Sequence, residues 1–447
     1  MVFRSPNVSE GHALSDAHSD FRIFLTLEHM RKLRFTACIC VALISLSGCG
    51  DHREKIITIW TQMQPGERKI LDAALEKFVK EDSVGKAWAK KGYVFRELFY
   101  ETEPIRTNFM IAALGGSGAE LVYGPSDMVG PFTKLQIIHA LDSLPDGVKL
   151  EQAFLDSFIT EPFPANTYLN GHLYQIADQI GNHLCLVYNK DLIPTPPKTI
   201  SEMIEIGKRF TKEGKYGLVW NYTEPYFFIP FVGGYGGGVM NEKAEPTLNT
   251  EATIKAAQLI VDLRDKHKII PRDCDYQTAN ALFKEGRAAM IINGPWSWAT
   301  YKNAGMNFGI ARIPLNDETG LYPAPMVSPR GYSININTRG EKLQVTVDLL
   351  KFLCSPEVEL EFTKAVGTIP SRREAFAKLS EIADENLKGS MEQIMVGKPM
   401  PVVSEMRVIW DSMRPSYQAV LNGSKTPEQA AKEMQELAVK LIREMKE

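Results

Sequence analysis

The chain is poor in the residues that build fixed catalytic or metal centres. Among 447 residues there are 8 His and 6 Cys. Beyond residue 50 the histidines are His52, His139, His172, His183 and His267, scattered without ligand spacing, which excludes a recognisable metal site. Cys185, Cys274 and Cys354 are far apart and odd in number, so they make no disulfide framework and read as buried thiols. The net charge of -3 leaves no basic footprint for nucleic acid. Nucleophile elbow, His-Glu-x-x-His and phosphate loop are all missing. The run Gly233 to Gly238 lacks a following Lys-Ser/Thr and reads as a turn. No repeat and no low-complexity segment interrupts the chain. These absences point away from an enzyme, and no catalytic residue, metal or cofactor is expected.

What is present begins near the start. Met30 to Arg34 is a short basic segment, and Phe35 to Leu46 is an apolar run of about a dozen residues, the size of a signal-peptide core and short for a membrane span. It ends in Leu46-Ser47-Gly48-Cys49, which resembles the bacterial lipobox. Small residues fit the peptidase cleft, and the Cys49 thiol accepts a diacylglyceryl group. A short buried helix or a single anchor helix is the competing reading. On the lipobox reading, residues 1–29 are an upstream extension, 30–48 a lipoprotein signal and 49–55 a tether. The protein is then extracytoplasmic or periplasmic and anchored to a membrane through lipidated Cys49.

Strand and helix patterns alternate after residue 55. Ile56 to Trp60 reads as a buried strand, Glu67 to Lys80 as an amphipathic helix, Tyr93 to Tyr100 as a second strand. Ile105 to Leu114 is helical and Glu120 to Tyr123 is strand. Further on, Leu184 to Tyr188, Ala288 to Ile292 and Gly331 to Asn337 read as strands. Helices are expected from Thr199 to Phe210, Glu251 to His267 and Tyr276 to Lys284, after Ser355-Pro356, and after Thr426-Pro427. The alternation predicts an α/β fold with mostly parallel sheets flanked by helices.

Aromatic residues with polar neighbours recur in segments expected to be loops: Trp60 with Gln62, Glu224 with Tyr226 and Phe227, Trp296 with Trp298, and Trp410 with Asp411 and Arg414. A sugar has apolar C–H faces and a rim of hydroxyls, so its site wants flat rings plus fixed carboxylates and amides. Each ring could equally be core packing, Trp298 above all.

Several segments carry a more specific likeness. Asn293-Gly294-Pro295-Trp296 after Gly286-Arg287-Ala288-Ala289-Met290, then Tyr188 to Leu192 with Pro196 to Thr199, Glu224 to Phe227 and Met400 to Arg414 follow one another as in the family 1 extracellular solute-binding proteins. The sequence resembles that family over nearly all of the chain after Cys49. The resemblance implies a type II periplasmic-binding fold of two hinged lobes, 56–177 with 328–372 and 178–327 with 373–447. It implies a monomer that captures a small-molecule solute, most simply a carbohydrate, and presents it to the permease subunits of an ABC importer. Carried over residue by residue, Trp296 and Trp410 are stacking rings, Arg414 lies one turn beyond Trp410, Glu224 and Tyr226 line the same wall, and Asp127 contacts hydroxyls.

The first lobe departs from the pattern of the maltose-binding members. Where they have a tryptophan and an arginine flanking the aspartate, this chain has Gly124 and Met128, and their charged first loop is replaced near Gln64-Pro65. Arg330, near the second crossing, is either a partner for an anionic group or a surface arginine. A polyol or glycerophosphodiester ligand, and a sensor lipoprotein in place of a transport component, stay open as alternatives. So does a glycosidase pair of Glu224 with Asp127, which the resemblance to binding proteins disfavours.

Overall fold

The computed structural model describes residues 55–447. The extension, signal segment and Cys49, with most of the tether, lie outside the described residues. Among the described residues no helix is long and apolar enough to cross a membrane.

The strands are β1 (Ile56–Thr61), β2 (Val94–Phe99), β3 (Leu121–Pro125), β4 (Thr167–Leu169), β5 (His172–Asn182), β6 (Cys185–Asn189), β7 (Tyr216–Val219), β8 (Ala288–Asn293), β9 (Phe308–Ala311), β10 (Met326–Ile334), β11 (Ile369–Pro370) and β12 (Lys398–Pro399). They form two sheets. The first runs β11-β5-β10-β3-β1-β2, with β4 on β5 and β12 on β10; the second runs β7-β8-β6-β9. Within the first, β1 pairs parallel with both β2 and β3, and within the second β7 pairs parallel with β8. Long antiparallel strands β5 and β10 extend the first sheet, and β6 and β9 extend the second.

The helices that frame the cleft are α1 (Pro65–Lys80), α2 (Thr102–Leu114), α3 (Val129–Lys134), α4 (Pro225–Gly234), α5 (Trp298–Asn303), α6 (Pro356–Val366), α7 (Glu385–Ile394), α8 (Glu405–Leu421) and α9 (Pro427–Lys446). Their starts follow local chemistry. Gln64 and Glu67 form a capping box at α1, with Pro65 at the first helical position. Thr426 and Gln429 do the same for α9. Ser355 caps α6, which ends on Gly367 at φ 76°, a left-handed position suited to glycine.

Each sheet has its own apolar core. Ile57, Ile59, Leu121, Ile176, Ile334 and Leu350 belong to the first; Leu186, Leu218, Ile291, Phe228, Met413 and Tyr417 belong to the second. These cores move two of the expected lobe boundaries. Strand β5 stays in the first sheet through Asn182 rather than leaving it at 177, because Ile180 buries in the first core. The stretch after 372 does not pass at once to the second lobe either. Leu379, Leu387 and Ile394 pack into the first core, while the other side of α7 already lies along β9 of the second sheet, where Asn386 accepts from the Ile310 amide and Gln393 from the Ile313 amide; Met400 then buries in the second core.

The two lobes touch on both flanks of the gap between them. On one flank α1 meets α5, and a Cβ on Gly66 would collide with the Cβ of Ala299. Trp298 faces Gly367 nearby. On the other flank Gly130 of α3 lies against the backbone of Val402 to Ser404. Contacts on both sides mark a closed arrangement.

Candidate functional site

A cavity of about 510 Å³ lies between the lobes. It sits beyond the carboxyl ends of the parallel strands, the usual place for a ligand in open α/β sheets. The turns after β1, β2 and β3 contribute Gln62, Glu103 and Asp127; the segments after β7 and β8 contribute Glu224, Tyr226, Phe227 and Trp296; α8 contributes Trp410 and Arg414; β10 contributes Arg330.

Nine of the ten sequence-selected residues therefore share one cavity wall: Gln62, Asp127, Glu224, Tyr226, Phe227, Trp296, Arg330, Trp410 and Arg414. Trp60 does not. It packs on Tyr100 at 4.7 Å between ring centroids and edge-on to Phe109, because β1 turns this side chain toward the small core beside α2. Trp298, the doubtful ring, is buried. The expected loops are also revised: Glu224 stays outside a helix, but Tyr226 and Phe227 lie in the first turn of α4 and Trp410 lies inside α8.

The aromatic rings form a connected surface. Tyr226 lies 6.4 Å from Trp296 and 6.3 Å from Trp410, centroid to centroid, and meets Phe227 edge-on. Tyr226 donates its hydroxyl to the carbonyl of Asn182, and burial, then the Asp127 charge, push its pKa upward, so it stays neutral. Gly294 makes the ring position of Trp296 accessible, since a Cβ there would strike the six-membered ring of the indole. All of these rings come from the second lobe.

The charged groups are arranged in closed pairs. Arg106 donates to both oxygens of Asp127 at 2.8 and 2.9 Å, and Trp410 Nε1 donates to the same carboxylate at 3.1 Å. That indole bond crosses from one lobe to the other. Arg330 is no surface arginine: it is 3 % exposed, 2.6 Å from Glu67, with its guanidinium over the Tyr123 ring. Its expected role as a free partner for an anion is not what the structure shows, because Glu67 already neutralises it. Arg414 pairs with Glu224 at 3.1 Å. The cavity lining includes no Lys or His. Beside Arg330, the wholly buried Asp178 accepts from Tyr123 at 3.0 Å; burial outweighs the Arg330 charge and lifts its pKa to about 7.

Some of these groups were not foreseen. Arg106 and Asn182 carry no local motif, Glu67 shows only as a helix cap, and their long-range partners alone reveal them. The first-lobe departures do have a common explanation. The Met128 sulfur occupies the space where a Cβ of residue 124 would stand, so Gly124 and Met128 are mutually fitted. Met128 is buried in the small core beside α2 and does not reach the cavity.

Hydrogen-bonding capacity is left over on cavity residues. Gln62 Oε1, Arg106 Nε and Arg330 Nε are buried with no partner within the protein. Among the described residues no group of His, Cys, Asp and Glu could hold a metal ion.

Two α/β lobes closing on a polar cavity with an aromatic wall define a clamshell binding protein. Residues 103–388 match the family described as bacterial extracellular solute-binding proteins, and the chain belongs to that family. Its role is binding, not catalysis. The solved maltose/maltodextrin-binding domain MalE from Bdellovibrio bacteriovorus, bound to maltotriose, is 45% identical with a TM-score of 0.80, covering 87% of this chain and 100% of that one. The maltotriose-binding protein of Pyrococcus abyssi is 25% identical over 384 residues, 84% of this chain and 79% of its own. The galactooligosaccharide-binding protein of Bacillus subtilis is 24% identical over 426 residues, 90% of this chain and 95% of its own.

Proposed function

We propose that this protein captures a short neutral oligosaccharide, of the malto-oligosaccharide class, and delivers it to the permease of an ABC importer. The observation that carries this reading is the pairing of an aromatic wall with arginines that each already hold a carboxylate. Flat rings suit the C–H faces of a pyranose, and fixed carboxylates suit its hydroxyls through charge-assisted hydrogen bonds. A phosphodiester would enter a cavity whose cations are spent, and would have to displace a buried partner at a cost of several kcal/mol. The cavity volume, about 510 Å³, falls in the range of small-ligand sites. The maltotriose-bound relative at 45% identity supports glucose units over other hexoses.

The same reading places the protein outside the cytoplasm, as a monomer held to the membrane through Cys49, for which the lipobox Leu46 to Cys49 is the support. Asp127, Glu224, Tyr226, Trp296, Trp410 and Arg414 form the binding set. The lobes hinge where β5 and β10 leave the first sheet and again near residues 395–400.

A thermal-shift series with maltotriose, galactooligosaccharides, polyols and glycerophosphodiesters tests this, with affinities by calorimetry. A ligand at a hundred times its Kd adds about 2.7 kcal/mol to stability. Stabilisation by maltotriose ahead of the anionic compounds is the expected result. Stabilisation by the phosphodiesters alone would overturn the substrate class.

A further inference from the structure

The mouth of the cleft carries a cluster of charges that belongs to both lobes. Glu103, in the first turn of α2, is the first-lobe member. Arg407 and Arg414 stand seven residues apart on α8 and so share a helix face. Arg407 Nη1 donates to Glu103 Oε2, and Arg414 Nη2 lies 3.8 Å from Glu103 Oε1. Within the second lobe, Arg407 donates to Asp411 at 3.0 Å, and Arg414 approaches Asp411 at 3.6 Å and Glu224 at 3.1 Å.

Opening the lobes separates α2 from α8. It breaks both Glu103 pairs and leaves the Asp411 and Glu224 pairs intact. Arg414 therefore has carboxylates on both lobes, Glu224 and Asp411 on its own and Glu103 across the mouth. We propose that Glu103 is an interlobe clasp: its pairs with Arg407 and Arg414 hold the cleft shut over bound saccharide and set its release rate. Arg414 links the clasp to the cavity, because ligand hydroxyls that engage Glu224 free Arg414 to turn toward Glu103. The clasp deepens the oligosaccharide reading and rests on it for the identity of the ligand.

Isolated exposed ion pairs contribute little, but this is a half-buried network of five charges. Burial raises the Glu103 pKa, and Arg106, Arg407 and Arg414 more than offset that, holding the carboxyl below its usual range and ionised. The position in the first turn of α2 favours the same charge.

Stopped-flow release of maltotriose from the protein measures the clasp, with Glu103→Gln, Arg407→Gln and the double variant compared at low and high salt. Arg407 does not line the cavity, so it reports on closure and not on ligand contact. Each single variant should speed release about threefold to tenfold at low salt, and Arg407→Gln, outside the cavity, should do so with association unchanged. The double variant should be no faster than Glu103→Gln, which already removes both interlobe pairs. The differences should vanish near 1 M salt, where screening reaches about 3 Å. An unchanged release rate in Arg407→Gln, or equal acceleration at every salt concentration, overturns the clasp. If the wild type binds no maltotriose, the substrate reading fails and small-angle scattering of the unliganded protein decides about the clasp. Expansion of the wild type by salt, reproduced by Glu103→Gln at low salt, supports it; identical radii of gyration throughout overturn it.

Discussion

Replacing Trp296 by Ala isolates the aromatic wall from the rest of the site. The ring is only half-buried, flanks Tyr226 and lies over Gly294, so its loss opens the cavity side and not the core. A pyranose face laid on the indole removes on the order of 40 Å² from water on each partner, about 80 Å² together, which at ~25 cal/mol per Å² is about 2 kcal/mol. That corresponds to roughly a thirtyfold rise in Kd. Calorimetric titration with maltotriose at fixed salt gives the number directly. Thermal unfolding without ligand supplies the control, and the variant should melt within a few degrees of the wild type. A Kd within twofold of wild type, with folded protein, would remove Trp296 from the binding set and with it the stacking argument.

Three further outcomes follow from particular contacts. Gly66→Leu should wedge α1 away from Ala299 and keep the cleft from closing; affinity should fall at least about tenfold while scattering shows a larger radius, since closure is what encloses ligand. Glu67→Gln leaves the Arg330 charge buried without its partner, which should cost about 3 kcal/mol and show as a lowered denaturant midpoint. Asp178→Asn tests the raised carboxyl. Its folded pKa, about 7, exceeds the ordinary aspartate value of 3.8, so protonation favours the folded state; that contribution is complete below the unfolded pKa and disappears as pH rises to about 7. Asn does not ionise, so its stability relative to wild type should climb between pH 4 and 7 by roughly 3 kcal/mol and then level off. A flat difference across that range would refute the shift.

The fold was largely legible because its signals are local. Ser355-Pro356, and Thr426-Pro427 with Gln429, announce helix starts within four residues. Apolar runs such as Ala288 to Ile292 announce buried strands. The aromatic wall was legible through sequence order, since Asn293 to Trp296 and Trp410 to Arg414 match a family pattern. What stayed hidden depends on partners far away in the chain. Glu67 is an ordinary helix-capping carboxylate until Arg330, 263 residues later, lies against it. Trp60 sits in a strand of apolar residues, and only the neighbouring Tyr100 and Phe109 show which side it takes. The shared packing of α7 between the two lobes was hidden too, because Leu387 and Ile394 carry a helical pattern that names no particular core.

Every ring on the cavity wall comes from the second lobe, and the first lobe faces it with amides, carboxylates and their paired arginines. Capture and enclosure are therefore separate events on separate halves of the molecule. An open cleft already offers the complete stacking platform, so a sugar adsorbs there by its faces before the first lobe arrives to read its edges. The kinetics should carry that order: the observed binding rate rises with ligand concentration and then saturates at the closing rate of the lobes. Residues at the mouth can then alter how long a sugar is held while the platform goes on deciding which sugar is taken.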